Sequence, residues 1–146
     1  MEPHNYQVNV SWKADRLGVL SSNDIDSTKN VQVATPPQFP GGIPNEWSPE
    51  HFFTAAVNSC FMTTFLAIAE NLKLEFTAFS CEANGVLEKI DGKFMMSKIT
   101  LNAVVHLVHE EQREKALRIL EKSEQACLIS NSIKSEVTLQ SEIFIG

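Results

Sequence analysis

The feature that most constrains this chain is a run of nineteen uncharged residues, 51–69, between Glu50 and Glu70. A helix of that length just reaches across a bilayer. The run is flanked by acidic residues, however, and six of its members are polar: His51, Thr54, Asn58, Ser59, Thr63 and Thr64. The sequence therefore favours a core helix, buried on nearly all sides, over a membrane span.

The start of this helix is marked by local signals. Ser48 is a typical N-cap residue, Pro49 suits the first helical position, and Glu50 complements the positive end of the helix dipole. Trp47 is placed to staple the first turn. We expect the helix to end near Asn71.

Strand patterns lie on both sides of the helix, with a Pro- and Gly-rich loop, Pro36–Pro44, directly before it. Asp91-Gly92 predicts a tight hairpin turn. A second, amphipathic helix is predicted at about Glu110–Ala126. The expected strands are Tyr6–Trp12, Leu17–Ser21, Val31–Ala34, Phe79–Ile90, Ile99–Leu107 and Val137–Ile145. This order predicts an α+β fold.

Composition narrows the class of protein further. A chain of 146 residues with 43% hydrophobic residues is expected to form one domain, residues 1–146. Its net charge of −6 repels phosphate groups, which argues against nucleic acid as a partner. The first residues have neither the basic nor the apolar segment of a secretory leader, so we expect a cytoplasmic, reducing location.

A helix buried on all sides needs more covering than one small domain readily provides. The simplest source of that cover is a second copy of the chain, whose own sheet closes over the helix. We therefore expect an intertwined homodimer.

Three cysteines, Cys60, Cys81 and Cys127, are too few and too widely spaced for a disulfide scaffold or a zinc site. Cys60 lies in the uncharged helix, where it is either a small core residue or a thiol activated by a distant group. Cys127 lies where the second helix ends, and it is either a packing residue or a cysteine that joins Cys60, if the fold brings their Cα atoms within about 7 Å. Cys81, in a strand with Phe79 and Ala83, is expected to pack, and its part in thiol chemistry stays open.

Two strings resemble the OsmC/Ohr family of small bacterial thiol peroxidases. The first is Pro49–Ala56 followed by Ser59-Cys60-Phe61, and the second is Ala126–Ser132. In that family a Pro-Glu motif opens the long central helix, the first cysteine lies ten residues after the Glu, and the second precedes a Ser-Asn pair. The order and spacing of both motifs match here, in what resembles a divergent OsmC-like branch.

The resemblance implies antiparallel β-sheets wrapped around long central helices in a swapped homodimer. It further implies that Cys60 is the peroxidatic thiol, that Cys127 resolves it as a disulfide, and that Arg16 and Glu50 complete the site. Arg16 departs from the pattern, because Ala14-Asp15 precedes it where many relatives have glycines.

The implied activity is the reduction of organic hydroperoxides to alcohols through a Cys60 sulfenic acid. The disulfide would be returned to the dithiol by an external reductant, a lipoyl-protein or a small thiol. No metal or organic cofactor is required, since sulfur itself changes oxidation state. Five aromatic residues are candidates for an apolar substrate pocket: Phe39, Trp47, Phe52, Phe53 and Phe61.

A second hypothesis keeps the scaffold without peroxidase turnover. In it the protein senses redox state or binds a small hydrophobic ligand. The 36–47 loop and His51 place the chain closer to the divergent branches of the family, whose substrates are unclear. Neither the preferred peroxide nor the physiological reductant follows from the sequence.

Overall fold

The computed structural model describes all 146 residues, which form two compact units, Met1–Phe52 and Phe53–Gly146. Short 3-10 helices cover Ser27–Lys29, Glu110–Gln112 and Ser130–Ser132. The strands and helices are β1 (Asn9–Ala14), β2 (Leu17–Ser21), β3 (Val31–Ala34), α1 (Pro49–Asn71), β4 (Phe76–Ile90), β5 (Lys93–Leu107), α2 (Arg113–Ala126) and β6 (Glu136–Ile145). This order confirms the predicted α+β class.

The first unit contains an antiparallel sheet in the order β1-β2-β3. The predicted bounds of β2 and β3 are confirmed, whereas β1 begins at Asn9 rather than at Tyr6. The β1–β2 hairpin turns at Asp15, which has a positive φ of 49°. The indole N–H of Trp12 donates to the Asp15 carbonyl over 3.0 Å and fixes the turn.

The period-2 alternation of Tyr6–Trp12 predicts a half-buried strand, and this prediction is wrong for the single chain. Its alternating apolar side chains are between 67% and 83% exposed: Tyr6, Val8, Val10 and Trp12. The first unit has no second sheet of its own to lie over this face, so the alternation is present but its apolar side has no cover within the unit.

The start of α1 agrees with the prediction. The hydroxyl of Ser48 accepts from the backbone N–H of His51 over 3.2 Å, and the Ser48 N–H donates to His51 Nδ1 over the same distance. His51 thus takes the place of the usual Glu or Gln in a capping box. Trp47 stacks on Phe52 with ring centroids 5.7 Å apart, which forms the hydrophobic staple.

The second unit contains a mixed sheet in the order β4-β5-β6. β4 and β5 pair antiparallel around Asp91-Gly92, whose φ values of 50° and 79° confirm the tight turn. β5 and β6 pair in parallel, so the expectation of purely antiparallel sheets is wrong at this pair. The reason is that α2 carries the chain back across the sheet before β6 begins.

The core of the second unit lies between one face of this sheet and the two helices. β5 contributes alternate residues from Ile99 to Leu107, and α1 contributes one row along its length, including Phe61 and Phe65. Phe65 stacks on Phe79 with ring centroids 4.6 Å apart. Truncating a buried Phe of this kind to Ala typically costs about 3–5 kcal/mol.

Within one chain α1 is not buried on nearly all sides, contrary to the prediction. Only one row is buried, at a spacing of four: Val57, Phe61, Phe65 and Ala69. On another face Met62 and Leu66 are 39% and 41% exposed. By length and composition alone α1 is also the single helix that could cross a membrane, a weak indication because core helices satisfy the same criterion.

The close packing of α1 on the sheet depends on Gly85 in β4. A Cβ at this position would lie 2.3 Å from Thr54 Oγ1 and 2.8 Å from the terminal methyl carbon of Met96. A glycine inside a strand pattern indicates a bulge, and the register of β4 shifts between Val86 and Leu87, just after Gly85. Gly85 therefore makes room for the helix, and the irregularity follows it.

Candidate active site

Cys60 lies on α1 and is half-buried, between the core-facing row and the exposed face of the helix. Thr64, four residues further on, lies on the same side of the helix. Its Oγ1 is 4.0 Å from Cys60 Sγ, at the outer limit of a hydrogen bond to sulfur.

Cys127 terminates α2 and is fully buried. Its φ and ψ of −64° and 110° are extended, so the chain leaves the helix at this residue. The Cys127 sulfur is 3.9 Å from the carbonyl oxygen of Val57, within reach of its thiol proton. Because Val57 precedes Cys60 by one turn of α1, this contact places Cys127 beside the helical turn that carries Cys60.

The segment after Cys127 is held in a tight turn by its own backbone. The Cys127 carbonyl accepts from the Asn131 N–H over 3.1 Å, and the Ile129 carbonyl accepts from the Ser132 N–H over 2.9 Å. The Asn131 side-chain amide donates to the Gln125 carbonyl over 3.2 Å and ties the turn back to α2. These bonds orient the backbone N–H groups of the turn toward the two sulfurs.

The surroundings of Cys60 favour its thiolate. Partial burial opposes ionisation, but hydrogen bonds from the Ile129 N–H, the Cys127 thiol, the Thr64 hydroxyl and the Leu128 N–H outweigh it and lower the pKa of Cys60. Three of these donors are on the Cys127–Ile129 segment. The thiolate is thus favoured by neutral donors grouped at a helix end, as in other anion-binding turns.

The surroundings of Cys127, in contrast, favour its protonated thiol. Burial raises the pKa of its thiol, and the neighbouring charge and hydrogen bond of Cys60 raise it further, against the lowering effect of the Ser130 hydroxyl and N–H. These opposite shifts favour the thiolate form at Cys60 and the protonated thiol at Cys127. This is the charge state required of a nucleophile and a second thiol held in reserve.

Cys81 is not drawn into this pair. It lies in β4, where burial raises the pKa of its thiol to about 11 despite a hydrogen bond from the Asn102 backbone. A thiol with such a raised pKa is protonated and weakly reactive at neutral pH. Its surroundings agree with the packing role expected for it.

Arg16 and Glu50 lie in the first unit. Arg16 is exposed at the end of the β1–β2 turn. A Cβ at Gly41, which has a φ of 79°, would lie 3.2 Å from Arg16 Nε, so the glycine leaves room for the Arg16 side chain against the 36–44 loop. Glu50 is half-buried in the first turn of α1.

The five candidate pocket aromatics have different surroundings. Phe61 is fully buried in the core beside Phe79, with ring centroids 6.0 Å apart, so in this chain it is a packing residue. Phe53 is partly buried against the same core. Trp47 is 52% exposed and stacks on Phe52, while Phe39 is half-buried in the 36–44 loop.

Several groups at the site were not predicted from sequence. The spacing of Thr64 from Cys60 gave a signal that could have been used, since residues four apart share a helix face. Ser130 was noted only as part of a motif. The N–H groups of Leu128 and Ile129 left no signal, because a backbone donor is independent of residue type.

This arrangement defines a small α+β protein with two neighbouring thiols, one on a core helix and one at the end of a second helix. Their pKa values are shifted in opposite directions. The chain belongs to the OsmC family: the family model described as OsmC-like protein matches residues 41–142. The matched segment includes Glu50, Cys60 and Cys127 and leaves out Arg16.

The comparisons with individual proteins agree with this assignment. The uncharacterized protein YmaD of Bacillus subtilis strain 168 is 26% identical over 148 residues, which cover 97% of this chain and 95% of the relative. An OsmC-like protein of unknown function from Vibrio cholerae superposes with a TM-score of 0.85 at 21% identity, covering 96% of this chain and 100% of that one.

Two other similar structures carry a functional name. An organic hydroperoxide resistance protein from Elizabethkingia anophelis has a TM-score of 0.76 at 20% identity, and 99% of each chain is covered. An organic hydroperoxide resistance protein from Legionella pneumophila has a TM-score of 0.70 at 20% identity, again with 99% of each chain covered. At these identities the similarity establishes the OsmC/Ohr fold, and the low values fit a divergent branch.

Proposed function

We propose that this protein is a thiol peroxidase that reduces organic hydroperoxides to alcohols. The observation that carries the proposal is the pair of neighbouring thiols: hydrogen-bond donors on Cys127–Ile129 and Thr64 lower the pKa of Cys60, whereas burial and the adjacent Cys60 raise the pKa of Cys127. A thiolate is the nucleophile that attacks peroxides, and a protonated second thiol beside it is available for the next step.

In the first step the Cys60 thiolate attacks the terminal oxygen of the hydroperoxide. A sulfur–oxygen bond forms, the oxygen–oxygen bond breaks, and the alkoxide leaves with a proton as the alcohol. Cys60 becomes a sulfenic acid and the peroxide is reduced by two electrons. No metal or organic cofactor takes part in this step.

In the second step Cys127 attacks the sulfur of the sulfenic acid. The Cys60–Cys127 disulfide forms, and the oxygen leaves as water with the proton that Cys127 gives up. An external dithiol, a lipoyl-protein or a small thiol, then restores both thiols by exchange. We expect this cycle to operate in the reducing cytoplasm, where thiols are kept reduced.

The preference for organic substrates rests on two kinds of support. Relatives with the same fold are named organic hydroperoxide resistance proteins. In this chain the exposed Trp47, which stacks on the half-buried Phe52, presents an apolar surface at the start of α1. An alkyl or aryl hydroperoxide gains more from such a surface than hydrogen peroxide does.

The proposed functional form is a homodimer. The exposed face of α1 is uncharged from Ser59 to Ala67, and the apolar side of β1 is exposed as well. Exposed apolar surface of this extent marks an interaction site. The sequence predicts that α1 is buried on all sides, whereas a single chain buries it on one side. A second copy that covers both surfaces would account for this difference.

Arg16 and Glu50 belong to this proposal as supporting residues of the site. The exposed Arg16 guanidinium is available to orient a hydroperoxide or to add positive charge near the thiolate. Glu50 would hold that guanidinium in the assembled dimer. Their assignment rests on the resemblance to the family, and an Arg16→Lys variant separates charge from bidentate geometry.

The deciding experiment is steady-state consumption of cumene hydroperoxide with dihydrolipoamide as reductant. Wild type and Cys81→Ser are expected to turn over many equivalents. Cys60→Ser is expected to consume none, and Cys127→Ser is expected to lose reduction by the dithiol. If wild type consumes at most one equivalent, the peroxidase proposal fails and a redox sensor becomes the better explanation. If Cys60→Ser keeps wild-type turnover, Cys60 is not the nucleophile.

A further inference from the structure

The loop before α1 is built from two consecutive turns. The Phe39 N–H donates to the Pro36 carbonyl over 3.0 Å, and the Gly42 N–H donates to the Phe39 carbonyl over 3.0 Å. In the second turn Pro40 and Gly41 are the central residues, and Gly41 has a φ of 79°. Proline followed by a residue of positive φ is the pattern of a type II turn. A Cβ at Gly42 would lie 2.1 Å from the Pro36 carbonyl oxygen, so the two turns pack directly on each other.

Backbone hydrogen bonds hold both ends of this loop beside Arg16. The Arg16 carbonyl accepts from the Thr35 N–H over 3.3 Å, and the Thr35 carbonyl accepts from the Ile43 N–H over 2.9 Å. Leu17, the residue after Arg16, pairs with Ala34 in the sheet. All of these residues lie in the first unit, so that unit alone determines how the loop meets Arg16.

The Arg16 side chain lies across Gly41. A Cβ at Gly41 would lie 3.3 Å from Arg16 Cγ, 3.2 Å from Nε and 3.7 Å from Cζ. These three atoms extend from the aliphatic stem to the guanidinium, and all of them face the place that a side chain at residue 41 would occupy. The missing Cβ therefore lets the Arg16 side chain approach the backbone of the turn along most of its length.

This contact restricts Arg16 although the residue is exposed. A free arginine samples many rotamers, and fixing one of them costs side-chain entropy. An arginine whose stem already lies along a rigid turn loses less of that entropy when it binds a ligand. A guanidinium also binds oxygen ligands through parallel N–H groups, so its direction matters as well as its charge.

We propose that Gly41 is a positioning residue of the peroxidase site: the 39–42 turn is the surface that holds the Arg16 side chain in its working direction, and it can do so because residue 41 has no side chain. This inference rests on the proposed peroxidase function, in which Arg16 orients the hydroperoxide or adds positive charge near the thiolate, and deepens it. Gly41 has no functional group of its own, so its whole effect on the reaction passes through Arg16.

Two substitutions separate this role from the backbone requirement for glycine. Asn tolerates a positive φ better than Ala does, so backbone strain alone makes Gly41→Ala the more harmful change. Crowding of Arg16 predicts the opposite order, because Asn adds three heavy atoms beyond the Cβ. Gly92 is a matched control, since it has the same φ of 79° and a Cβ there would meet nothing within 4 Å. Gly92→Ala and Gly92→Asn therefore report the strain without the crowding.

The first measurement does not depend on turnover. The chain has three arginines, Arg16, Arg113 and Arg118, so the side-chain Nε–Hε signals in a nitrogen-15 spectrum are few, and Arg16→Lys assigns the signal of Arg16. The heteronuclear NOE of that signal should show Arg16 more ordered than Arg118, which is exposed on α2. The order should fall in Gly41→Ala, fall further in Gly41→Asn, and stay unchanged in both Gly92 variants. An Arg16 as mobile as Arg118 in wild type, or equally ordered in Gly41→Asn, would overturn the inference.

The second measurement is kcat/KM for cumene hydroperoxide with dihydrolipoamide. Gly41→Asn should lower it about tenfold, the effect of losing one hydrogen bond to a charged group, and Gly41→Ala should lower it less. Both Gly92 variants should keep the wild-type value. In an Arg16→Ala background Gly41→Asn should cause no further loss, because the residue through which it acts is gone. Urea unfolding shows that each variant is folded, and Gly41→Ala carries the same cycle if Gly41→Asn is not.

The outcomes distinguish this inference from the peroxidase proposal. If Gly41→Asn lowers kcat/KM equally with and without Arg16, or if Arg16→Ala keeps the wild-type value, the inference is overturned while the peroxidase proposal stands. If Gly41→Ala is more harmful than Gly41→Asn, backbone strain is the cause and the inference is overturned as well. If wild type does not turn over, the peroxidase proposal fails and this inference fails with it.

Discussion

The Cys127 sulfur lies 3.9 Å from the carbonyl oxygen of Val57, one helical turn before Cys60 on the same helix. This contact seats the end of α2 against α1 in the middle of the core. It also brings the Cys127 thiol and the backbone N–H donors of the turn close to Cys60. The segment that carries Cys127 therefore lowers the pKa of Cys60. The position of one cysteine is therefore part of the reactivity of the other.

Replacing Cys127 should weaken the thiolate of Cys60 in a way that depends on the replacement. In a Cys81→Ser background, Cys127→Ala removes the side-chain donor and should raise the pKa of Cys60, whereas Cys127→Ser keeps an O–H donor and should stay closer to wild type. The measurement is the rate of iodoacetamide alkylation of Cys60 against pH. Identical profiles for the two variants would show that the Cys127 thiol does not donate to Cys60.

Thr64 offers a smaller test of the same environment. Thr64→Val preserves the shape of the side chain but removes the hydroxyl, so Cys60 should be alkylated about two- to tenfold more slowly at pH 7, the effect of losing one weak hydrogen bond to the thiolate. Thr64→Ser should keep the wild-type rate. Because the oxygen–sulfur distance is 4.0 Å, we expect the effect to lie toward the lower end. A rate for Thr64→Val equal to wild type would assign the lowered pKa of Cys60 to the other donors alone.

Sequence signals predicted most closely those parts of the fold that local chemistry determines. Ser48 and Pro49 located the start of α1, and Asp91-Gly92 located the hairpin, because a cap or a tight turn is specified by adjacent residues. The parallel pairing of β5 and β6 was missed although a helix between two strands is the usual way to make one. The signal was present and was not used.

The site was less accessible to sequence reasoning. Cys60 and Cys127 are 67 positions apart, and only the resemblance to a family suggested that they meet. The exposed apolar side of β1 was also misjudged from sequence. Period-2 alternation predicts which side of a strand is apolar, but it does not predict what covers that side. In each case the missing information concerns contacts between distant parts of the chain.

The raised pKa of Cys81 predicts a loss of stability at alkaline pH. The folded state keeps the Cys81 proton to about pH 11, whereas an ordinary thiol releases it near 9.0. Between these values the unfolded chain binds fewer protons, so raising the pH favours unfolding. Because Cys81 is only half-buried, we expect about 1 kcal/mol after allowance for solvent screening. Urea unfolding of reduced wild type and Cys81→Ser from pH 8 to 11 measures it, and a constant difference between the two proteins would contradict the prediction.

Gly85→Ala should destabilise the second unit by about 1–3 kcal/mol, the usual cost of inserting a methyl group into a packed site. Its Cβ would lie 2.3 Å from Thr54 Oγ1, which would push α1 away from β4. Thr54→Ala removes that oxygen and should recover part of the loss in the double variant. Urea unfolding of the four proteins gives the coupling between the two positions. Strictly additive effects would show that the helix does not approach β4 this closely.

The exposed face of α1 predicts that one charge is enough to separate the proposed dimer. Leu66 is 41% exposed, and Leu66→Glu would bury an unpaired carboxylate if a second copy covers this face, a cost of several kcal/mol. The variant should elute as a monomer and sediment as one at concentrations where wild type is a dimer. Leu117→Glu makes the same change on α2 at a residue that is 37% exposed, and it should leave the dimer intact. A wild type that is monomeric at all concentrations, or a Leu66→Glu dimer as tight as wild type, would show that α1 is not covered by a partner.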